Sequence, residues 1–482
     1  MLTAMGPRKK QRRAAATHRA RAGASSRHTD RSSQRPDDRP VDAPSDRTSG
    51  RPGERRAPGV TADGRYDPRA VLDDLVAAGI RCVRRAMLPD DRPLGSVILA
   101  IRDVGRDDLI DDVLVRHLVP LVAPLWERGW SPVDLVHAAG HRFDAAIGGL
   151  VASAVLADPT LDRVDRPAVW TDQIGQLRRR RGRARGDLGF EQLEHRFQVV
   201  AFLLQLPKVV PVVVPPSQWR AAAAAGPVRT RRPDEQVDPR MLERVRALLA
   251  KAESTTFDAE AEALVAKAQE LMAKYAIDVA MVAAASADTR SLAAGVEARR
   301  LHLDDPYALQ KAQLLGAVAA VNGGHVVWHE GWGFATVIGF PVELELTELT
   351  FTSLLVQMTR AMADAGASGG HTRSASFRRA FVLSYAQRVG ERLEAARRRA
   401  HEAADQQYGA ALVPVQEARR AAVQERADEW FPNARAMRSR SVDAGGWHAG
   451  RAAADLADLE PGLGEIRRTS PSPTIVLCLS DR

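Results

Sequence analysis

Eight arginines and one pair of histidines have types and spacings that point to chemistry. The run "QLRRRRGRARG", Gln176 to Gly186, gathers Arg178, Arg179, Arg180, Arg181, Arg183 and Arg185 into one short stretch. No aromatic residue is interleaved to stack a base, so such a run holds phosphate by charge and does not read sequence. Arg378 and Arg379 open a second basic stretch, "SFRRAFVLSYAQRVGERLEAARRRAHEAA", in which Arg388, Arg392, Arg397, Arg398 and Arg399 follow. The plainer use of both stretches is a solvated, charged face.

His325 and His329 are four apart in a strand-like segment and so share a face, with Glu330 beside the second. Two imidazoles on one side begin a metal site, for which His302 or His371 would be the third ligand. A metal there would activate water, as in a metal-dependent hydrolase. "DLVHAAGHRFD" places Asp134, His137, His141 and Asp144 three, four and three apart on a helix, a stripe that chelates a metal or simply borders an apolar face. Two further patterns fail on context. "GASGG" at 366–370 follows a helix where a nucleophile elbow needs a strand, and "HEAAD" at 401–405 lacks the second histidine of a zincin helix. No Walker loop, dinucleotide fingerprint or Cys/His zinc pattern occurs, so no catalytic residue is assigned and no cofactor is expected.

The net charge of +9 is unevenly placed. Residues 1–60 hold 15 Lys+Arg and 6 Asp+Glu, and the remainder is balanced at 54 of each. Polyanion affinity must therefore come from the N-terminal stretch or from local patches. Two distant cysteines, Cys82 and Cys478, make neither a disulfide framework nor a metal ribbon, which points to a reducing, cytoplasmic compartment. The longest apolar run, 199–214, is broken by Pro207, Lys208 and Pro211 and is too short to span a membrane.

The elements that must position these residues follow from pattern and punctuation. A chain of 482 residues exceeds what one core serves, so several folded units are expected. The pattern predicts a mainly α, multi-domain protein. Residues 1–64 read as a disordered Arg/Ser/Pro-rich tail, 65–206 as a helical domain and 207–237 as a Pro/Ala-rich linker. Residues 238–282 form an antiparallel helical hairpin, and 292–410 an α+β unit with a β-hairpin that ends in a long basic helix. Residues 411–465 add C-terminal helices, with a tail over 466–482. In "LWERGWSPVDL", Gly129 closes one helix, Ser131 caps the next and Pro132 takes its first position, with Trp126 and Trp130 packed in the corner. Asp305 and Pro306 open a helix that Gly323 and Gly324 close. Ser374 caps the basic helix, and Gly446 and Gly450, four apart, permit close backbone packing.

In the hairpin, "LLAKAEST" and "AKAQELMAKYAID" carry a resemblance. The stretch Met241 to Met281 resembles a bacterial and phage family known only as domain of unknown function number 2786. "SFRRAFVLSYAQRVGERL" and "WHAGRAAADLADL" look like that family's companion region. The resemblance assigns no reaction and no functional residues; its association with phages and mobile elements leans toward nucleic-acid transactions. The hairpin itself holds 10 acids and 6 bases over 234–278, a poor footprint for phosphate, so its pattern is better explained by folding. Three functions are weighed: sequence-indifferent association with DNA or RNA, a metal-dependent hydrolase at His325, His329 and Glu330, and a scaffold whose hairpin docks a protein partner.

Overall fold

The computed structural model describes residues 67–86, 94–180, 188–224, 239–254, 294–367, 374–408, 412–437, 443–456 and 476–479, with isolated positions between 267 and 292. All of them lie in one unit running from Ala57 to Arg482. The expected N-terminal tail and the arginines at 181, 183 and 185 fall outside the described residues. So do His371 and the hairpin turn at 255–258.

Apolar residues recurring at three and four build eight α-helices among the described residues of the first half: α1 (Pro68–Ala86), α2 (Leu94–Val104), α3 (Asp107–Glu127), α4 (Pro132–Arg142), α5 (Ala145–Leu156), α6 (Ala168–Arg180), α7 (Phe190–Gln205) and α8 (Trp219–Ala224). Leu72, Val76, Ile110, Leu114, Leu118, Phe197 and Val200 lie in their shared core. The α3–α4 corner forms as its residues require. Gly129 adopts φ 87°, Ser131 Oγ accepts from the Asp134 amide, and Pro132 starts α4. Both corner tryptophans are buried. Trp126 Nε1 donates to Asp158 at 2.6 Å, and Trp130 Nε1 to the Pro207 carbonyl at 2.9 Å.

The stretch after α7 departs from the expected spacer. The Val209 amide donates to the Arg128 carbonyl, and Trp219 is fully buried edge-on to Trp170. Residues 207–215 form neither helix nor strand, while two indoles, Trp170 and Trp219, both donate to the Val214 carbonyl and fasten that segment to the helices. Residues 207–224 therefore belong to the helical body.

The second half surrounds one sheet. Its elements are α9 (Pro239–Ser254), β1 (Glu297–His302), α10 (Ala308–Val321), β2 (His325–His329), β3 (Phe334–Gly339), α11 (Pro341–Ala367), α12 (Ala375–Tyr408), α13 (Leu412–Trp430), β4 (Arg435–Met437), α14 (Ala444–Leu456) and β5 (Val476–Leu479). The strand order is β1-β3-β2-β5-β4, antiparallel except for the parallel pair β2 and β5. The expected β-hairpin is thus present as β2 and β3, but the sheet is wider than expected. β4 falls within the stretch read as C-terminal helices, and β5 within the expected C-terminal tail. Runs of three and four residues are too short for periodicity to reveal. α10 also starts later than expected, at Ala308, after a cis Asp305–Pro306 bond and a left-handed Tyr307. The protein is mainly α, as the pattern indicated.

Both sheet faces are covered, which explains why all six residues of β3 are buried. Val326, Trp328, Ala335 and Val337 face α10, α11 and α12, whereas Val327 and Ile338 pack with Val423, Ala427 and Phe431 of α13 and its end. Val245 of α9 meets Ala268 and Met272 of the hairpin's second segment, and all three rest on Val342 and Leu346 of α11. These three apolar side chains of the hairpin are buried inside the chain and closed to a partner helix.

α14 lies against α12 through its glycines. A Cβ on Gly446 would sit 2.2 Å from the Phe377 carbonyl oxygen, and one on Gly450 2.1 Å from Ser384 Oγ and 2.2 Å from the Phe381 oxygen. The backbones can approach only because both side chains are absent. Gly450→Ala is expected to lower stability by roughly 1–3 kcal/mol through overpacking, read as a drop in thermal midpoint. An unchanged midpoint would show that α14 does not pack there.

Candidate functional site

The helical body and the sheet meet at a cluster of buried polar side chains. Asp134 stands in the first turn of α4, where Ser131 caps the helix and donates from Oγ to Asp134 Oδ2 at 2.7 Å. Across the junction, alternation along β1 turns Arg300 and His302 to one face and Arg299 and Leu301 to the other. Arg300 Nη1 donates to Asp134 Oδ2 at 2.6 Å and His302 Nε2 to Asp134 Oδ1 at 2.8 Å. Arg300 also donates to the carbonyls of Gly129 and Val210, and its guanidinium lies 5.1 Å from the centre of the Phe334 ring. One side chain thus ties β1 to the α3–α4 corner and to the extended segment after α7. The side chains of Asp134 and Arg300 are each only 3% exposed, so this ion pair is out of water. Burial pushes the Asp134 carboxyl toward protonation, but Arg300, His302 and Ser131 together outweigh it and hold the group well below the usual carboxylate range.

Three imidazoles line up beside this pair. His137 stacks on His302 with ring centres 4.4 Å apart, and His141 lies nearly parallel to His137 at 6.2 Å. His137 Nε2 lies 2.8 Å from the Gly333 carbonyl oxygen. A carbonyl accepts, so the proton sits on Nε2 and His137 Nδ1 carries a lone pair. Burial and then the neighbouring His302 push the His137 pKa down. The loop after β1 contributes Asp304, 3.7 Å from His137 Nδ1, and Asp305, 3.3 Å from His141 Nδ1. The turn between β2 and β3 must carry glycine here. Gly333 has φ 66°, and a Cβ on it would lie 2.5 Å from the His141 ring. Chemically, the Asp134–His302 pair is an imidazole oriented by a carboxylate, the arrangement used for proton transfer.

The other expected site residues fall in different places. Asp144 does not join the α4 stripe at this junction; it caps α5 by accepting from the Ile147 amide. His325 and His329 do share a sheet face, but that face is covered by α13. His329 is buried, 2.9 Å from Thr336 Oγ1, and stacked on Trp332 with Phe334 and Phe431 around it. Strand positions four apart are about 13 Å apart along the chain, so the two rings are not brought together at one point. Glu330 is exposed at the start of the turn that follows. Among the described residues, no group of three or more His, Cys, Asp or Glu stands ready around a common ion position.

The arginines sort into two kinds. Along α12, Arg388 pairs with Glu391 and Asp455, and Arg397 makes two bonds to Glu394. Arg392 donates to the carbonyls of Ala454 and Asp455 at the end of α14, where a helix favours positive charge. By contrast, Arg178 and Arg179 are exposed at the end of α6, and Arg378 and Arg379 stand at the start of α12. None of these four has an acidic partner among the described residues. Arg246, Glu345 and Glu348 line an open recess of about 300 Å³ between α9 and α11, and Arg299 bonds to both glutamates.

Residues 240–279 match the model of a family described as a protein of unknown function (DUF2786). The match covers α9 and the segment that returns against it, both packed on α11, and it includes neither the Asp134 cluster nor the exposed arginines. Searches of the curated proteins and of the solved structures found no match to the chain. No helix among the described residues is long and apolar enough to cross a membrane.

Two outcomes follow from this geometry. Asp134→Ala leaves Arg300 buried with an uncompensated charge and is expected to cost about 3–5 kcal/mol. Adding Arg300→Met should recover part of that loss in a double-mutant cycle of chemical denaturation, whereas strictly additive costs would disprove the pairing. The second concerns acid. Burial, followed by the Arg300 charge, lowers the His329 pKa to about 3, so the ring folds neutral. The unfolded chain gains a proton there below pH ~6.5, and the contribution of His329 to stability, complete above that pH, is lost as pH falls toward 3. His329→Phe should flatten the acid limb by up to ~1.4 kcal/mol per pH unit; an unchanged slope between pH 6 and 4 would contradict the burial of a neutral ring.

Proposed function

We propose that the protein associates with nucleic acid through phosphate contacts, without reading sequence. What carries this reading is the sorting of the arginines. In a folded body whose basic and acidic residues balance, Arg178, Arg179, Arg378 and Arg379 remain at helix ends without acidic partners among the described residues. Arg180, Arg181, Arg183 and Arg185 extend the α6 cluster in sequence, and residues 1–60 add the whole net positive charge of the chain. Guanidinium groups left without a carboxylate are available to displace counterions from a phosphate backbone. The described arginine clusters hold no aromatic stacking partner between them, which favours backbone contact over base recognition.

The test is a salt-titrated binding assay with duplex DNA and single-stranded RNA of unrelated sequences. The full chain should bind both with affinity falling steeply as salt rises and with little sequence preference. Substituting Arg178, Arg179 and Arg180 by alanine should lower the slope of log K against log salt by up to about 3, at roughly 0.9 per lost contact. A chain starting at Asp63 should bind more weakly yet retain that arginine-dependent part. No binding at low salt, or an unchanged slope in the triple variant, would overturn the reading.

A further inference from the structure

Three imidazole–carboxylate pairs straddle the junction between the helical body and the sheet. Asp134 of α4 holds His302 of β1 at 2.8 Å, while His137 and His141 of α4 face Asp304 and Asp305 of the loop after β1 at 3.7 and 3.3 Å. The rings differ in what they need. His302 and His141 each direct one nitrogen at a carboxylate, and a neutral ring protonated on that nitrogen satisfies the contact. His137 has acceptors on both sides, with Nε2 lying 2.8 Å from the Gly333 carbonyl oxygen and Nδ1 facing Asp304. A neutral ring carries one N–H and serves one of them, so only the imidazolium completes both.

We propose that His137 and Asp304 form an acid-closed latch, in which a proton taken up at His137 Nδ1 fastens the loop after β1 to α4. The groups around the ring favour one such proton. Along α4 it meets His141 at 6.2 Å between ring centres, and from β1 His302 stacks on it at 4.4 Å, so a second cation in the row would sit against the first. Arg300 is spent on Asp134. The loop supplies Asp304 and Asp305, and α10 supplies Lys311, whose Nζ donates to the Asp304 carbonyl and leaves the carboxylate to His137. The turn between β2 and β3 contributes the Gly333 carbonyl, its Glu330 being exposed. α5 carries no titratable side chain, and α6 reaches α4 through Gln173, which accepts from the Val133 amide.

The Asp304 side chain is 86% exposed, so its carboxylate is free to swing in from 3.7 Å to the distance of a charge-assisted hydrogen bond, about 2.7–2.9 Å. Burial, followed by His302, lowers the His137 pKa, and the proton is therefore taken up below the ordinary imidazole value of about 6.5. The latch is open at neutral pH and closes in mild acid. Since an unfolded chain takes the same proton more readily, the contribution of His137 to overall stability is complete above pH ~6.5 and declines as pH falls. Acid thus orders the loop locally without strengthening the whole fold.

The experiment is amide hydrogen exchange of the full chain at about pH 7.5 and about pH 5, corrected for the intrinsic pH dependence of exchange and referenced to the β3 amides. The expected result is that Leu303, Asp304, Asp305 and Tyr307 exchange at least about threefold more slowly in acid, and that Asp304→Ala abolishes this difference. Asp304 is exposed, so that loss cannot be put down to unfolding. His117→Gln removes a ring paired with Asp73 elsewhere in the helical body and should leave the difference intact. Loop exchange that acid leaves unchanged or speeds up would overturn the latch. So would a slowing in acid that survives Asp304→Ala, which would place the responsible proton on another group.

Discussion

A buried ion pair between α4 and β1 is the constraint on which the arrangement of this protein turns. Asp134 and Arg300 are 166 residues apart in the sequence, and each is almost wholly removed from water. Neither charge could be buried alone; together, with the carbonyls of Gly129 and Val210 and the side chains of Ser131 and His302, they satisfy most of one another's hydrogen-bonding capacity. The geometry they need is demanding. The helix must turn sharply at Gly129, β1 must present Arg300 and not Arg299 to that face, and the proline-bearing segment must lie alongside. Apolar packing then continues through the same junction, since Trp332 and Phe334 of the sheet region belong to the core cluster of the helical body, with Trp130 set edge-on to both rings.

This dependence shapes how charge is used elsewhere. The chain is rich in arginine, and counting would suggest a broad basic surface. Most arginines in the second half are instead structural. Arg299 bridges Glu345 and Glu348, Arg419 reaches Glu343 while lying over the Phe340 ring, and Arg451 grips Glu391 with two bonds. These contacts tie neighbouring elements of the second half to one another. The proposal of phosphate contact rests instead on arginines such as Arg178, Arg179, Arg378 and Arg379, which have no acidic partner among the described residues.

How much of this was legible in the sequence depended on distance along the chain. Local rules worked where one short stretch contains every participant. The Gly129–Ser131–Pro132 corner, the Ser374 cap, the close packing allowed by Gly446 and Gly450, and the hairpin of β2 and β3 all follow from neighbouring residues. The candidate site was only half visible. His137 and His141 stand out on α4, but their partners come from a loop more than 160 residues later, and Asp134 read as a polar helix border because nothing nearby reveals Arg300. His325 and His329 misdirected attention for a related reason. A shared strand face can be read from spacing, whereas the helix that covers that face cannot. The strands β4 and β5 were missed because they are short, and the segment 207–224 because prolines hide an extended chain whose anchors are distant indoles.

If the ion pair and the shared tryptophan core do join the helical body to the sheet, the two cannot unfold independently. Scanning calorimetry of the full chain measures this directly. A single transition whose calorimetric and van't Hoff enthalpies agree is the predicted result, with α1–α8 and the sheet lost together. Two resolved transitions, one for each half, would contradict the account.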